Sequence, residues 1–320
     1  MTTNPENQLQ QGDLRHVTVA VLTYRRTDEL RRAVDSVVAA AVPRPSSGWR
    51  LEEILVVDNN QDGAAEPVVA ELRSSHGANI RYVNETTPGI VAGRNRALTE
   101  AAGDVMVFID DDEIALDGWP DGLLRVMEET GAAMVGGPVN FEFVEPPTQW
   151  VVDSGLFDRP SHADGSAQTW LRSGNIAIDL PTVRAEGLRF DPRYPHGEDA
   201  TFSRLARSKG LDLRWSSTAA VMEYVEPERT TLQWRRHRDR ISTDAWVRAG
   251  LDLDSSLRSQ SAVATKAAAR FAQGVVAVGV GMARRSEATK NSGLALISQA
   301  RGGIDGLMTH RRGAGPTTER

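Results

Sequence analysis

The sequence predicts an α/β fold: a mixed, mainly parallel sheet flanked by helices on both faces, with a helical extension at its C-terminal end. Three observations predict it. Short β-branched apolar runs alternate with stretches of helical periodicity through the first half of the chain. Three of those runs end in polar or acidic residues, and such sheets bind ligands beyond the carboxyl ends of their strands. The 320 residues are 40% hydrophobic and 25% charged, enough to bury a core of this size.

The elements follow in order. Residues 1–14 are polar and read as a disordered lead with no apolar signal region. "VTVAVLTY" (17–24) reads as a buried strand and "TDELRRAVDSVVAAA" (27–41) as a helix capped by Thr27 or Asp28. After the loop "PRPSSGW", "EEILVVDNN" (52–60) is a second strand and "EPVVAELRSSHG" (66–77) a helix. "IRYVNE" (80–85) gives a third strand, "GIVAGRNRALTEAAG" (89–103) a helix, and "VMVFIDDD" (105–112) a fourth strand. Beyond it the pattern loosens. "DGWPDGLLRVMEETG" (117–131) reads as a helix and "AAMVGGPVNFEF" (132–143) as one strand. Residues 145–170, rich in Pro, Gly, Asp and Ser, read as a long loop. "SGNIAIDL" (173–180) is a short strand, "GEDATFSRLARSKG" (197–210) a helix, and "LRWSSTAAVMEY" (213–224) a strand. "ERTTLQWRRHRDRISTDAWVRAG" (228–250) is a basic amphipathic helix, and 262–310 is Ala/Gly-rich and helical. The expected organisation is a disordered lead at 1–14, a main α/β domain at 15–250, a helical basic extension at 251–310 and a disordered tail at 311–320.

The composition excludes several functions. Without cysteine there are no disulfides, thiolate metal sites or cysteine nucleophiles. No apolar run reaches the roughly 18–20 residues of a membrane span. The net charge of −6 conceals an asymmetry: from Arg258 onward there are ten Lys/Arg and three Asp/Glu, a local +7, which leaves −13 on the remainder. An acidic body argues against nucleic-acid binding. The basic extension suits peripheral contact with an anionic membrane face, with a solvated helical surface as the plain alternative. "RFAQGVVAVGVGMARR" (270–285) either packs on the main domain or lies in a membrane interface. The localisation expected is cytoplasmic, at the inner face of the membrane if that contact is made.

The chemistry concentrates in "VFIDDDE" (107–113), where four carboxylates follow an apolar run. Close carboxylates repel, and a divalent cation relieves the cost. Mg²⁺ and Mn²⁺ take oxygen ligands and share one or two carboxylates with substrate phosphates. In an extended chain Asp110 and Asp112 point one way, and Asp111 and Glu113 the other. The second acidic feature is Glu198-Asp199 at the start of a helix, where acids are favoured in any case by the macrodipole.

An ordered set of segments carries a resemblance: "VAVLTYRRTDELRRAVDSV", "ILVVDNN", "ETTPGIVAGRNRAL", "VFIDDDE", "VGGPV", "SGN", "FDPRYPHGED" and "VMEYVEPERTTLQW". Over residues 16–240 the chain resembles the family 2 glycosyltransferases of GT-A fold, near the succinoglycan-type β-glycosyltransferases. The resemblance implies a Rossmann-like fold for nucleotide-diphospho-sugar transfer and a divalent metal, Mg²⁺ or Mn²⁺, as cofactor. It implies a nucleotide-diphosphate sugar as donor, with UDP-sugars foremost, and a saccharide or lipid-linked acceptor. By position, Thr23 and Tyr24 line the base pocket with Arg26 beside it, Asp58 meets base or ribose, and Arg94 meets base or phosphates. Asp110 and Asp111 face ribose and metal, Asp112 is the main metal ligand, and Glu223 is a second metal-side ligand where many relatives carry His. Asp199 is the general base, Glu198 an acceptor contact, and Asn175 and His196 stand on the acceptor side. His196 replaces the usual Gly, which bears on the acceptor rather than on the reaction. Of the basic residues in "TTLQWRRHRDR", Arg238 is the one assigned to the donor diphosphate.

Two other functions fit parts of the pattern. A phosphohydrolase with a D-x-D nucleophile carries that pair on its first strand with a Thr soon after, unlike the fourth strand and "EIALDGW" here. A nucleotide-sugar-binding scaffold without catalysis has no need of both the D-x-D and Glu198-Asp199.

Overall fold

The computed structural model describes residues 14–41, 48–159 and 162–312. The expected lead, most of the "PRPSSGW" loop and the tail from 313 lie outside the described residues. The chain runs β1 (Arg15–Thr23), α1 (Thr27–Ala40), β2 (Trp49–Asp58), α2 (Glu66–His76), β3 (Ile80–Asn84), α3 (Ile90–Glu100), β4 (Val105–Asp110), β5 (Glu113–Ala115) and α4 (Trp119–Thr130). It continues with β6 (Met134–Gly136), β7 (Val139–Phe143), α5 (Gln149–Asp153), β8 (Ile176–Asp179), α6 (Leu180–Ala185), α7 (Glu198–Ser208), β9 (Leu213–Trp215) and β10 (Val221–Val225). A 3-10 turn at Pro227–Thr230 leads into α8 (Leu232–Leu253), α9 (Leu257–Arg284) and α10 (Glu287–Arg312).

The main sheet has the order β3-β2-β1-β4-β8-β6-β9. Its first four strands are parallel, and β8 runs antiparallel to both β4 and β6. Alternation along β1 divides the core. Val17, Val19 and Val21 pack with α1, α2 and α4 on one face, while Ala20 and Leu22 pack with α3, α6 and α7 on the other. Burial on both faces is why these strands read as continuous apolar runs.

Three expected elements are divided. The strand expected at 132–143 breaks between Gly136 and Val139, where Gly137 and Pro138 intervene, and β6 and β7 enter different sheets. The strand expected at 213–224 divides likewise into β9 and β10. A second sheet, β5-β10-β7, results; β10 is antiparallel to β5 and parallel to β7. The helical stretch at 262–310 is a hairpin, reversed at Arg285 (φ 53°). Its second helix packs on both α8 and α9, and α8 runs past the expected boundary at 250. No helix among the described residues is long and apolar enough to cross a membrane.

Candidate active site

Strand β4 ends at Asp110, and the chain turns at Asp111 and Asp112 before β5. The alternation expected of an extended chain is therefore lost. Asp111 and Asp112 share one guanidinium: Arg26 Nη1 donates to Asp111 Oδ1 at 3.2 Å and to Asp112 Oδ2 at 2.8 Å. Thr23 Oγ1, at the end of the neighbouring β1, donates to Asp111 Oδ2 at 2.8 Å. Glu113 turns back and accepts from the Asp110 amide at 3.0 Å. It stands opposite Glu223 in the β5–β10 register. Arg229 lies 2.5 Å from Glu223 Oε1 and 3.9 Å from Asp112 Oδ2. Gly174 lets the next segment close over the acids, since a Cβ there would stand 2.7 Å from Glu113 Oε1 and 2.9 Å from Asp110 Oδ2.

Burial and mutual repulsion act on these acids together. Burial pushes the Asp110 carboxyl up to about 6; Arg94 opposes this, and Asp112, Glu223 and Asp199 add to it. Burial likewise raises Asp111 to about 7 against the Thr23 hydrogen bond and Arg26. Glu113 is raised well above the carboxylate range by burial and by Asp110 and Glu223. Among the described residues no three acidic or histidine side chains converge as a metal cage. A hard divalent ion fits this all-oxygen cluster nonetheless, because such ions complete their shell with substrate phosphates and water.

The second acidic pair is joined to the first. Gly197 (φ 77°) turns the chain into α7, which begins at Glu198. Glu198 Oε1 accepts from Arg94 Nη1, whose partner nitrogen Nη2 lies 3.6 Å from Asp110 Oδ1. Arg94 is 3% exposed. Burial opposes its charge, but Glu198, Asp110 and Asp199 outweigh it. Expected at the base or phosphates, Arg94 instead spans the two acidic groups. Burial raises Glu198, with Arg94 opposing. Asp199 is partly exposed and accepts from the Ala200 amide at 2.7 Å.

The remaining residues divide between exposed and engaged. Tyr24 is 54% exposed with Arg25 5.2 Å over its ring. Asp58 is fully buried and accepts from the amides of Asn60 (2.9 Å) and Ala65 (3.0 Å) and from Tyr82 Oη (3.1 Å). Its carboxylate shapes the loop after β2 rather than projecting toward a ligand. Asn175 departs from the acceptor contact expected of it. It has no exposed surface, accepts from Trp119 Nε1 at 2.8 Å, and donates to the carbonyls of Pro138 (2.9 Å) and Ala219 (2.8 Å). With every polar group used internally, it ties α4 and β8 to the segments before β7 and β10. His196 is exposed beside the start of α7. Arg238 is exposed on α8, 5.9 Å over the Trp234 ring. Sequence reasoning missed Arg229, whose only signal was its position four residues past β10. A groove of about 100 Å³ lies between Arg26, Asp111, Asp112, Tyr224, Glu226 and Arg229.

The arrangement brings an oxygen-rich cluster flanked by arginines to the strand ends, with a carboxylate pair tethered beside it through Arg94. The comparisons with known proteins agree with that architecture. A sequence-family model described as glycosyl transferase family 2 matches residues 18–179. The chain is 31% identical to the succinoglycan biosynthesis protein ExoM of Rhizobium meliloti over 222 residues, covering 68% of this chain and 70% of that protein. It is 22% identical to the glycosyltransferase AglE of Haloferax volcanii over 40% of each chain. Among solved structures, the mannosyltransferase PcManGT of Pyrobaculum calidifontis, in complex with GDP-Man and Mn²⁺, superposes with a TM-score of 0.58 at 19% identity, over 90% of this chain and 87% of that one. GalNAc-T7 with UDP, GalNAc and Mn²⁺ gives 0.53 at 15% identity, over 72% of this chain and about half, 48%, of that one.

Proposed function

The chain belongs to glycosyl transferase family 2, and from that premise we propose that it moves a sugar from a nucleotide-diphosphate donor to an acceptor hydroxyl by a single inverting displacement. The observation that carries the proposal is the convergence at one sheet edge. Thr23 and the acids at 110–113 stand at neighbouring strand ends, and Glu198-Asp199 is held to them through Arg94.

Asp112 and Asp110 are the carboxylates that would hold a divalent cation, with Glu223 beside them. The bound cation supplies charge stabilisation to the departing diphosphate. Thr23 and Arg26 fix the orientation of Asp111 and Asp112. Tyr24, exposed at the end of β1, offers a ring face to the nucleotide base. Asp58 contributes by shaping the adjoining loop. Asp199 takes the proton of the acceptor hydroxyl as its oxygen attacks the anomeric carbon and the bond to the diphosphate breaks. Inversion converts an α-linked donor sugar into a β-glycoside. Arg94 fixes the spacing between the acids on the leaving-group side and the pair on the acceptor side. UDP-sugars are the first donors to test, since the resemblance points to them, and a saccharide or lipid-linked saccharide is the acceptor.

A thermal-shift screen of nucleotide sugars with Mn²⁺ or Mg²⁺ identifies the donor. Asp199→Asn then loses on the order of 10²–10⁴-fold in transfer rate while keeping donor affinity. Full activity in that variant removes Asp199 as base.

A further inference from the structure

The face of the small sheet that carries Glu113 and Glu223 continues to Phe141, which stands beside Glu223 in the β10–β7 register. At this end acids give way to bases. Arg159 lies 4.5 Å over the Phe141 ring, and Arg172 is 6.0 Å from that of Trp170. Arg229 and Arg238 both approach Trp234, at 5.4 and 5.9 Å. Burial, as the larger cause, and repulsion from Arg172, Arg238 and Arg229 bring Arg159 down to about 10 against the attraction of Glu223. Among the described residues, Arg229 pairs with carboxylates, Glu223 and Asp112, whereas Arg159, Arg172 and Arg238 have no carboxylate partner.

Four guanidiniums share Glu223 and a longer contact to Asp112; this excess of like charge costs energy, and an oxyanion removes the cost. Guanidinium forks already stacked on aromatic rings are preorganised for the planar recognition of phosphate or carboxylate. The position indicates which ligand. On the reading proposed above the nucleotide side lies over β1 and β2, whereas Arg172 leads into β8, across β4 from them. Leu171 beside it bonds through its amide to Ser203 of α7, the helix that carries Glu198 and Asp199. An adjoining cavity of about 440 Å³, whose wall includes Phe141, Phe143, Val151, Phe157, Asp158 and Arg159, gives room for the body of a ligand held by its anionic group at the arginine end.

We propose that Arg159, Arg172, Arg229 and Arg238 form an oxyanion site on the acceptor side, and that the acceptor of this enzyme carries a phosphate or carboxylate group. This rests on the glycosyltransfer reading, and it moves Arg238 from the donor's diphosphate to the acceptor.

The test titrates the intrinsic tryptophan fluorescence of the full chain, to which Trp170 and Trp234 contribute, with inorganic phosphate and separately with acetate. UDP and Mg²⁺ are held at saturation, so the donor site is filled. The expected result is a saturable response, weakened at least tenfold in the R159Q/R172Q double variant. The stronger of the two anions identifies the group as phosphate or carboxylate. Should the double variant fail to fold, R238Q, on an exposed part of α8, repeats the comparison. A phosphate and acetate response abolished by UDP, or unchanged in the variants, overturns the proposal. Acceptor-free cleavage of a nucleotide sugar by the wild-type enzyme tests the glycosyltransfer reading separately, because it does not involve the arginines' ligand.

Discussion

At the residue scale, the four acids at 110–113 differ in what surrounds them. Asp111 is held by Thr23 and Arg26, Glu113 by the Asp110 amide, and Asp110 faces Arg94. Asp112 stands between Arg26 and Arg229. The elevated pKa values of Asp110, Asp111 and Glu113 have a consequence for stability. A carboxyl raised in the folded state contributes stability that is full below its unfolded pKa near 4 and is lost as pH rises through the folded value. With Asp110 near 6 and Asp111 near 7, unfolding free energy should fall between about pH 4 and 7 without added divalent metal. The fall should be on the order of several kcal/mol. Urea denaturation across that range measures it, and Asp111→Asn should flatten the slope; an equal slope in the variant would show that the loss arises elsewhere. The identity of these acids was legible from the sequence, because acids following a buried strand are conspicuous. Their orientation was not: it depends on a turn at 111–112 and on Arg26 and Arg229, brought in from other parts of the chain. Asn175 and Arg94 were misplaced for a related reason. A polar residue in a motif looks the same whether it faces a ligand or closes a buried network.

At the element scale, alternating runs gave the parallel half of the sheet nearly residue by residue, since strands buried on both faces carry a continuous apolar signal. The antiparallel half was harder to read. β6 and β9 are three residues long each, and strands that short leave no periodicity to detect. The break at Gly137-Pro138 is what allows β7 to leave the main sheet and set Phe141 beside Glu223. The α9–α10 hairpin depends on close backbone approach. A Cβ on Gly274 would come 2.7 Å from the Gly293 carbonyl oxygen and 2.7 Å from Ile297 Cγ1. Gly274→Val should therefore destabilise the hairpin by roughly 1–3 kcal/mol through overpacking. Hydrogen exchange should show the loss in α9 and α10 while β1, β2 and β4 keep their protection; uniform loss would mean the hairpin and the sheet unfold as one unit.

At the scale of the whole molecule, two features go beyond any single element. The charge asymmetry read from the sequence falls on the helical extension, and α9 presents Phe271 (48% exposed), Val276 (64%) and Met282 (67%) to solvent. Arg270, Arg284 and Arg285 flank this surface. An apolar stripe with basic flanks suits an anionic membrane face. The chain should float with vesicles containing anionic lipid and not with neutral ones, and Phe271→Glu with Met282→Glu should abolish the association; flotation unchanged by those substitutions would mean that α9 is not the contact. The other feature is the proposed division of labour across the sheet edge, which assigns the leaving group to the β4 acids and the acceptor to the neighbourhood of α7. Calorimetric titration of the donor nucleotide sugar tests it most directly, on wild type and Asp112→Asn, with Mn²⁺ and after chelation. The account predicts that chelation weakens donor binding in the wild type by at least tenfold, that Asp112→Asn binds weakly with or without Mn²⁺, and that Asp199→Asn binds the donor as the wild type does. Donor affinity indifferent to both the metal and Asp112 would contradict it.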